Sequence, residues 1–234
     1  MCIRDRPRTI PSAQEFGEKV GKLGVSNSNH VVIYDNNANL GMFSAARVWY
    51  MFRLFGHKEV SILDGGFPKW QAEGGKIVSG SPPDVKSVEF KITYCAEMFL
   101  SFEQTLDAYT RKTAKILDAR PPGRYNGKDP EPNPKIPSGH IIGTENLVWR
   151  AFFNPDTKSL KTREEIEKVF SNAGVNFDQS YIASCGGGIT ACWIALAAFI
   201  CGKNIPVFTG SWLEWVKRGP DDSKVLGVKG EDLK

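Results

Sequence analysis

Long apolar runs are missing from this chain of 234 residues. A membrane-spanning helix needs about 18 or more consecutive apolar residues, and the longest apolar stretch, residues 191–201, has the length of a buried helix. We therefore expect no membrane segment and no membrane partner.

Paired cysteines and a strong excess of charge of one sign are missing as well. The cysteines are odd in number and include no C-x-x-C pair: Cys2, Cys95, Cys185, Cys192 and Cys201. This pattern argues against a disulfide framework and a zinc site, and it favours reduced thiols in an intracellular protein, cytoplasmic or mitochondrial. The 30 basic and 26 acidic residues form no polybasic block, which suits a small anionic substrate better than nucleic acid.

A strand–helix–strand order occurs twice along the chain. The first copy has predicted strands over 29–35 and 60–63 around a helix over 44–55; the second has strands over 179–185 and 205–208 around a helix over 190–200. Asp35 stands in the first copy where Cys185 stands in the second. This order predicts an α/β fold with parallel sheets flanked by helices, and ligands bound at the carboxyl ends of the strands.

The expected domain organisation follows from this repeat. A stretch rich in glycine, serine and proline over 74–83 separates the copies and is typical of a linker. We expect an amino-terminal domain over 1–78, a linker over 79–90 and a second domain over 91–234. The first copy has far fewer residues before its strand than the second, so we expect it to be incomplete.

The segment after the second copy's first strand carries the chemistry. Cys185 is followed by three glycines and a predicted helix start. Glycines allow backbone N–H groups to turn inward around an anion, and a helix amino terminus stabilises negative charge. Cys185 is therefore a candidate nucleophile. The alternative is a cysteine that merely packs beside a turn, which is the role expected of Cys192 and Cys201.

The length of this loop separates two chemistries. A phosphate cradle of the form C-x-x-x-x-x-R would place an arginine where Ala191 stands. Without that fixed cation a phosphatase is disfavoured.

Five segments together resemble the tandem-rhodanese sulfurtransferases: CGGGITAC (185–192), SGHIIG (138–143), GSWLEW (210–215), RVWYMFRLFGH (47–57) and LDGGFPKW (63–70). The loop is most similar to the C-G-S/T-G-V-T-A of the 3-mercaptopyruvate sulfurtransferases, whereas thiosulfate-type rhodaneses carry C-R-K-G-V-T-A. The resemblance implies two rhodanese-like domains, the first inactive and the second catalytic. Asp35 in place of a cysteine agrees with an inactive first copy, where it is expected to accept hydrogen bonds from the following turn.

The resemblance also implies roles for single residues. Arg124 matches the arginine that binds the substrate carboxylate, and the alternative for it is an interdomain ion pair. The loop residues expected to bind the donor are Gly186, Gly187, Gly188, Ile189 and Thr190. Arg120 is expected to be structural, paired with Asp118 or Glu145, and His140 to anchor a turn.

Three positions depart from the family pattern. Asn133 stands where a second carboxylate-binding arginine is usual, and Lys135 is the candidate to replace it. Gly187 lacks a hydroxyl proposed to relay protons. Arg8 falls where a histidine of the first domain is expected.

The resulting functional hypothesis is sulfur transfer from 3-mercaptopyruvate through a Cys185 persulfide to thioredoxin, glutathione or cyanide, without a metal or organic cofactor. Two alternatives remain. One is thiosulfate:cyanide sulfurtransfer, which the absent loop cations oppose; the other is a non-catalytic persulfide-binding or partner-binding module.

Overall fold

The computed structural model describes residues 10–37 and 42–233. Arg8, matched above to a family histidine, lies outside these residues. The described chain divides into an amino-terminal unit, residues 10–96 with 154–160, and a carboxyl-terminal unit, residues 97–153 with 161–233. The linker expected over 79–90 falls within the first unit, and the domain limits 1–78 and 91–234 stay a prediction.

The amino-terminal unit contains three helices and a pair of parallel strands. In chain order they are α1 (Ala13–Lys22), β1 (Val31–Ile33), α2 (Ala45–Leu54), β2 (Val60–Ile62) and α3 (Gly66–Ala72). Helix α1 begins at a capping box, in which Ser12 and Glu15 satisfy each other's backbone N–H groups. Its Phe16 packs into an aromatic cluster with Phe52, Phe55 and Phe90, and all four side chains are buried.

The carboxyl-terminal unit is built around a five-stranded parallel sheet. The strands of this unit are β3 (Phe99–Leu100), β4 (Lys115–Asp118), β5 (Gly139–Ile141), β6 (Glu145–Asn146), β7 (Tyr181–Ser184), β8 (Val207–Phe208) and β9 (Lys224–Leu226). Its helices are α4 (Phe102–Thr110), α5 (Pro122–Tyr125), α6 (Arg163–Asn172), α7 (Ala191–Ile200) and α8 (Ser211–Arg218). The sheet has the order β3-β8-β7-β4-β6, while β5 and β9 form a separate antiparallel pair. Short 3-10 helices lie at Ala96–Met98, Trp149–Phe152, Asp221–Ser223 and Gly230–Leu233.

The central strand β7 positions the candidate nucleophile. All four residues of β7 are buried, as expected for a strand covered on both faces of a parallel sheet. Its last residue, Ser184, lies opposite Asp118 at the end of β4. Because the two strands end level with each other, the segments that follow them begin at the same edge of the sheet.

Helix α7 explains the long apolar stretch noted in the sequence. Its residues 191–198 are all buried, which is typical of a helix hydrophobic on every side inside a protein core. No helix within the described ranges is long and apolar enough to cross a membrane. The parallel α/β architecture predicted from the sequence is confirmed.

Candidate active site

Cys185 follows β7 directly, and its side chain is held at the start of the glycine loop. The residue is 2% exposed, and the backbone N–H of Gly188 donates to its Sγ over 3.0 Å. Gly188 has a φ of +77°, a conformation that side chains disfavour. The third glycine of the loop is therefore needed to turn this N–H toward the sulfur.

The rest of the loop offers further donors. Across residues 10–37 and 42–233, no acceptor takes the backbone N–H groups of Gly186, Gly187, Ile189 or Thr190. Unpaired amides at the beginning of a helix are suited to an anion. Of the N–H groups that the sequence predicted to turn toward the sulfur, the described structure thus directs that of Gly188 to Sγ. Binding of the sulfur donor by the loop stays a prediction.

Ser211 is a part of this site that the sequence analysis missed. Its Oγ accepts the N–H of Cys185 over 3.1 Å, donates to the carbonyl of Phe208 over 2.8 Å, and lies 3.9 Å from the Cys185 Sγ. Its φ is +50°. Alignment of GGFPKW (65–70) with GSWLEW (210–215) pairs Ser211 with Gly66, which has a φ of +62°. A serine in place of a glycine was therefore the signal available in the sequence.

Two substitutions at Ser211 separate its hydroxyl from its backbone conformation. Ser211→Ala leaves the buried Cys185 N–H without an acceptor, and we expect it to lower the free energy of unfolding by about 1–3 kcal/mol. Ser211→Gly loses the same bond but relieves the positive φ, so it should be about 1 kcal/mol less destabilising. Urea denaturation of both variants measures the difference, and a glycine variant less stable than the alanine variant contradicts the role given to the backbone.

Arg124 is brought to the loop by helix α5. A Cβ built on Gly186 would lie 2.7 Å from Arg124 Nη2 and 3.6 Å from an oxygen of Glu131. The same Nη2 forms an ion pair with Glu131. Both residues belong to the carboxyl-terminal unit, so this pair is not the interdomain ion pair considered as the alternative for Arg124. The Nε atom of Arg124 is buried and has no partner in the part of the chain described.

Arg120 is fully buried in a network of charges beside Arg124. It pairs with Asp118 over 2.6 Å and with Glu131 over 2.8 Å, and it donates to the carbonyl of Gly139 over 2.7 Å. Burial acts to lower the pKa of Arg120, but Asp118 and Glu131 outweigh it and raise the pKa above its usual value. The expected pairing with Asp118 is confirmed, and Glu131 takes the place considered for Glu145.

The remaining predicted residues have local roles in the structure. His140 Nδ1 lies 2.9 Å from the carbonyl of Tyr125, and the two rings stack at 4.2 Å, which agrees with anchoring a turn. Asn133 Oδ1 accepts the N–H of Lys135 over 3.1 Å, and both residues are exposed. Substrate binding by Lys135 stays a prediction.

The amino-terminal unit repeats this arrangement with a carboxylate in place of the thiol. The N–H of Phe67 donates to the carbonyl of Asp35 over 2.9 Å, as the N–H of Trp212 does to that of Cys185. The Asp35 carboxylate accepts bonds from Ser44 N–H, Ser44 Oγ and Ala45 N–H over 2.6, 2.8 and 2.9 Å. Asp35 therefore caps helix α2, which is the structural role expected from the sequence.

Comparison with known proteins gives one consistent picture. A family model described as a rhodanese-like domain matches residues 2–73 and 101–218. Thiosulfate sulfurtransferase of Rattus norvegicus is 43% identical over 218 residues, which cover 92% of this chain and 72% of that protein. The 3-mercaptopyruvate sulfurtransferase of the same species is 40% identical over 229 residues, covering 96% and 75%.

Solved structures agree with this comparison. A protein of Escherichia coli described among 3-mercaptopyruvate sulfotransferases superposes with a TM-score of 0.76 and 32% identity, covering 88% of this chain and 75% of that one. The sulfur transferase subunit of yeast mitochondrial complex I superposes with a TM-score of 0.79 and 31% identity, covering 94% and 79%.

Proposed function

The chain belongs to the rhodanese-like domain family, and from this premise we propose that it transfers sulfur from 3-mercaptopyruvate through a persulfide on Cys185. Its relatives at about 40% identity are sulfurtransferases, and the chain is an enzyme of this kind. The observation that carries the role of Cys185 is the hydrogen bond from Gly188 N–H to its Sγ at the end of β7. A backbone N–H fixed there is placed to stabilise negative charge on the sulfur during the reaction.

The proposed first half-reaction breaks the carbon–sulfur bond of the donor. Arg124 holds the donor carboxylate, and the Cys185 thiolate attacks the donor sulfur. A sulfur–sulfur bond forms while the carbon–sulfur bond breaks, and its electron pair remains on carbon as the enolate of pyruvate. This enolate takes up a proton and leaves as pyruvate, so that a persulfide remains on Cys185. The loop amides that have no acceptor among the described residues could stabilise the charge that develops.

In the second half-reaction an acceptor thiolate or cyanide attacks the outer sulfur of the persulfide. The sulfur–sulfur bond breaks, the acceptor carries the sulfur away, and the Cys185 thiolate is restored. Thioredoxin and glutathione are the proposed thiol acceptors, and the proposed compartment is the cytoplasm or the mitochondrion. The Sγ atom of Cys185 both receives the transferred sulfur and gives it up, so the proposed cycle uses no organic cofactor.

The choice of donor rests on the loop. Relatives named for either donor are about equally similar, at 43% and 40% identity, so overall similarity does not separate them. Thiosulfate is a dianion, whereas 3-mercaptopyruvate carries one carboxylate. Gly186 and Gly187 supply no cation, so the positive charge next to Gly186 comes from the Arg124 guanidinium, which is paired with Glu131, and this favours the monoanion.

A comparison of donors tests this proposal. With cyanide as acceptor, kcat/KM for 3-mercaptopyruvate should exceed that for thiosulfate by about tenfold or more. Arg124→Gln should lower kcat/KM for 3-mercaptopyruvate roughly thirtyfold, since a charge-assisted hydrogen bond contributes about 2 kcal/mol.

The matched control is Arg163→Gln, which breaks an exposed ion pair with Glu167 on α6 and should change neither donor's kcat/KM. A wild-type preference for thiosulfate supports the rhodanese alternative. Absence of turnover with both donors supports the non-catalytic binding module.

A further inference from the structure

Glu131 lies between the two arginines of the site, and neither the family resemblance nor the proposed mechanism gives it a role. Its side chain is 1% exposed. Oε1 accepts from Arg120 Nη1 over 2.8 Å, and Oε2 pairs with Arg124 Nη2. One carboxylate therefore connects a buried arginine with the arginine that stands over the loop.

Arg120 makes this connection rigid. Its guanidinium is held on other sides by Asp118 and by the carbonyl of Gly139, and it lies over the ring of Trp212 at 5.0 Å. Because Arg120 is held on several sides, the Glu131 carboxylate bound to it has little freedom to move. Glu131 can thus orient Arg124, whose side chain is partly exposed and would otherwise sample several rotamers.

The place where Arg124 is held is next to the loop itself. A methyl group on Gly186 would stand 2.7 Å from Nη2 of Arg124, closer than a normal contact. The guanidinium therefore fills the space that a side chain at position 186 would need. Any side chain at position 186 would therefore require Nη2 of Arg124 to shift from this place.

Four charged side chains form one connected cluster, and their formal charges cancel. Asp118 and Glu131 contribute two negative charges, and Arg120 and Arg124 contribute two positive charges. An incoming anion therefore meets oriented N–H donors without a net positive charge. This arrangement penalises a dianion more than a monoanion, because each further charge must be desolvated without a counter-charge.

We propose that Glu131 is a positioning and selectivity residue: it fixes the guanidinium of Arg124 over Gly186 and cancels its charge, so that monoanionic donors are preferred to dianionic ones. This inference rests on the proposed function for its donors. Its electrostatic part can be measured on Cys185 alone.

Glu131→Gln keeps the size and one acceptor of the side chain but removes its charge. We expect kcat for 3-mercaptopyruvate to fall about tenfold while KM changes less than about threefold, since orientation rather than binding is lost. For thiosulfate kcat/KM should rise, because the cluster gains a net positive charge. The matched control is Glu103→Gln, which removes the carboxylate of an exposed ion pair with Arg218 and should leave both donors unchanged.

Alkylation of the acceptor-free enzyme supplies the second readout. Iodoacetate and iodoacetamide are similar in size and differ by one negative charge. In Glu131→Gln the rate constant for iodoacetate divided by that for iodoacetamide at Cys185 should rise about fivefold, as expected when one negative charge near the thiol is removed. Gly186→Ala displaces Arg124 but keeps Glu131, so it should lower kcat for 3-mercaptopyruvate about tenfold without raising the alkylation ratio.

The outcomes of these experiments distinguish a failure of the proposed function from a failure of the role proposed for Glu131. If the wild type does not use 3-mercaptopyruvate, the proposed function fails, while a raised alkylation ratio in Glu131→Gln still supports the charge role of Glu131. If Glu131→Gln slows both donors equally and leaves the alkylation ratio unchanged, Glu131 is only structural and the inference is overturned. If Glu131→Gln does not fold, Gly186→Ala decides: kcat equal to the wild type overturns the positioning role.

Discussion

Cys185→Ser is expected to lower kcat for sulfur transfer by about a thousandfold or more, because a neutral hydroxyl replaces the only proposed nucleophile. Serine keeps the size of the side chain and can still accept the N–H of Gly188, so the loop should keep its conformation. The expected loss is therefore chemical, and the thermal unfolding temperature of the variant should stay close to that of the wild type.

Intact-protein mass spectrometry locates the transferred atom. After incubation with 3-mercaptopyruvate without acceptor, the wild type should gain the mass of one sulfur atom, and Cys185→Ser should gain none. Cys192→Ser is the matched control, because Cys192 is also buried, and its Sγ lies 3.4 Å from the carbonyl of Gly188. Sulfur retained by Cys185→Ser on another cysteine contradicts the assignment.

The regular parts of the fold were predictable because they depend on local sequence patterns. The predicted strand over 179–185 corresponds to β7 (Tyr181–Ser184), and the predicted helix over 190–200 corresponds to α7 (Ala191–Ile200). Uniform burial produces continuous apolar runs, and glycine marks their ends. The internal repeat then placed Asp35 and Cys185 at equivalent strand ends, which the matching bonds to Phe67 and Trp212 support.

The parts that escaped prediction depend on contacts between distant segments. Ser211 meets Cys185 only because β7 and β8 are neighbours in the sheet. Glu131 stands in a proline-rich stretch without periodicity, and its partners come from the segment that follows β4 and from α5. Sequence patterns report which face of an element is buried, but they do not report which polar side chains a fold brings together. The resemblance to tandem rhodaneses is confirmed, whereas the charge network had to be found in the structure.

The largest effect on stability is expected from Arg120→Met. This variant leaves two carboxylates, Asp118 and Glu131, buried with one fewer cation, and breaking such a pair from one side costs about 3–5 kcal/mol. Denaturant unfolding measures this loss. Arg163→Met, at an exposed ion pair, should change the free energy of unfolding by less than about 0.5 kcal/mol.

A second substitution identifies the physical cause of that loss. If uncompensated buried charge destabilises Arg120→Met, then adding Asp118→Asn should recover part of the stability, although Asp118→Asn alone is destabilising. Such a sign change in a double-mutant cycle is the mark of directly coupled charges. Additive losses would mean that Arg120 acts mainly through its packing against Trp212. Retained stability in Arg120→Met with lost activity would instead place Arg120 among the groups that bind the donor.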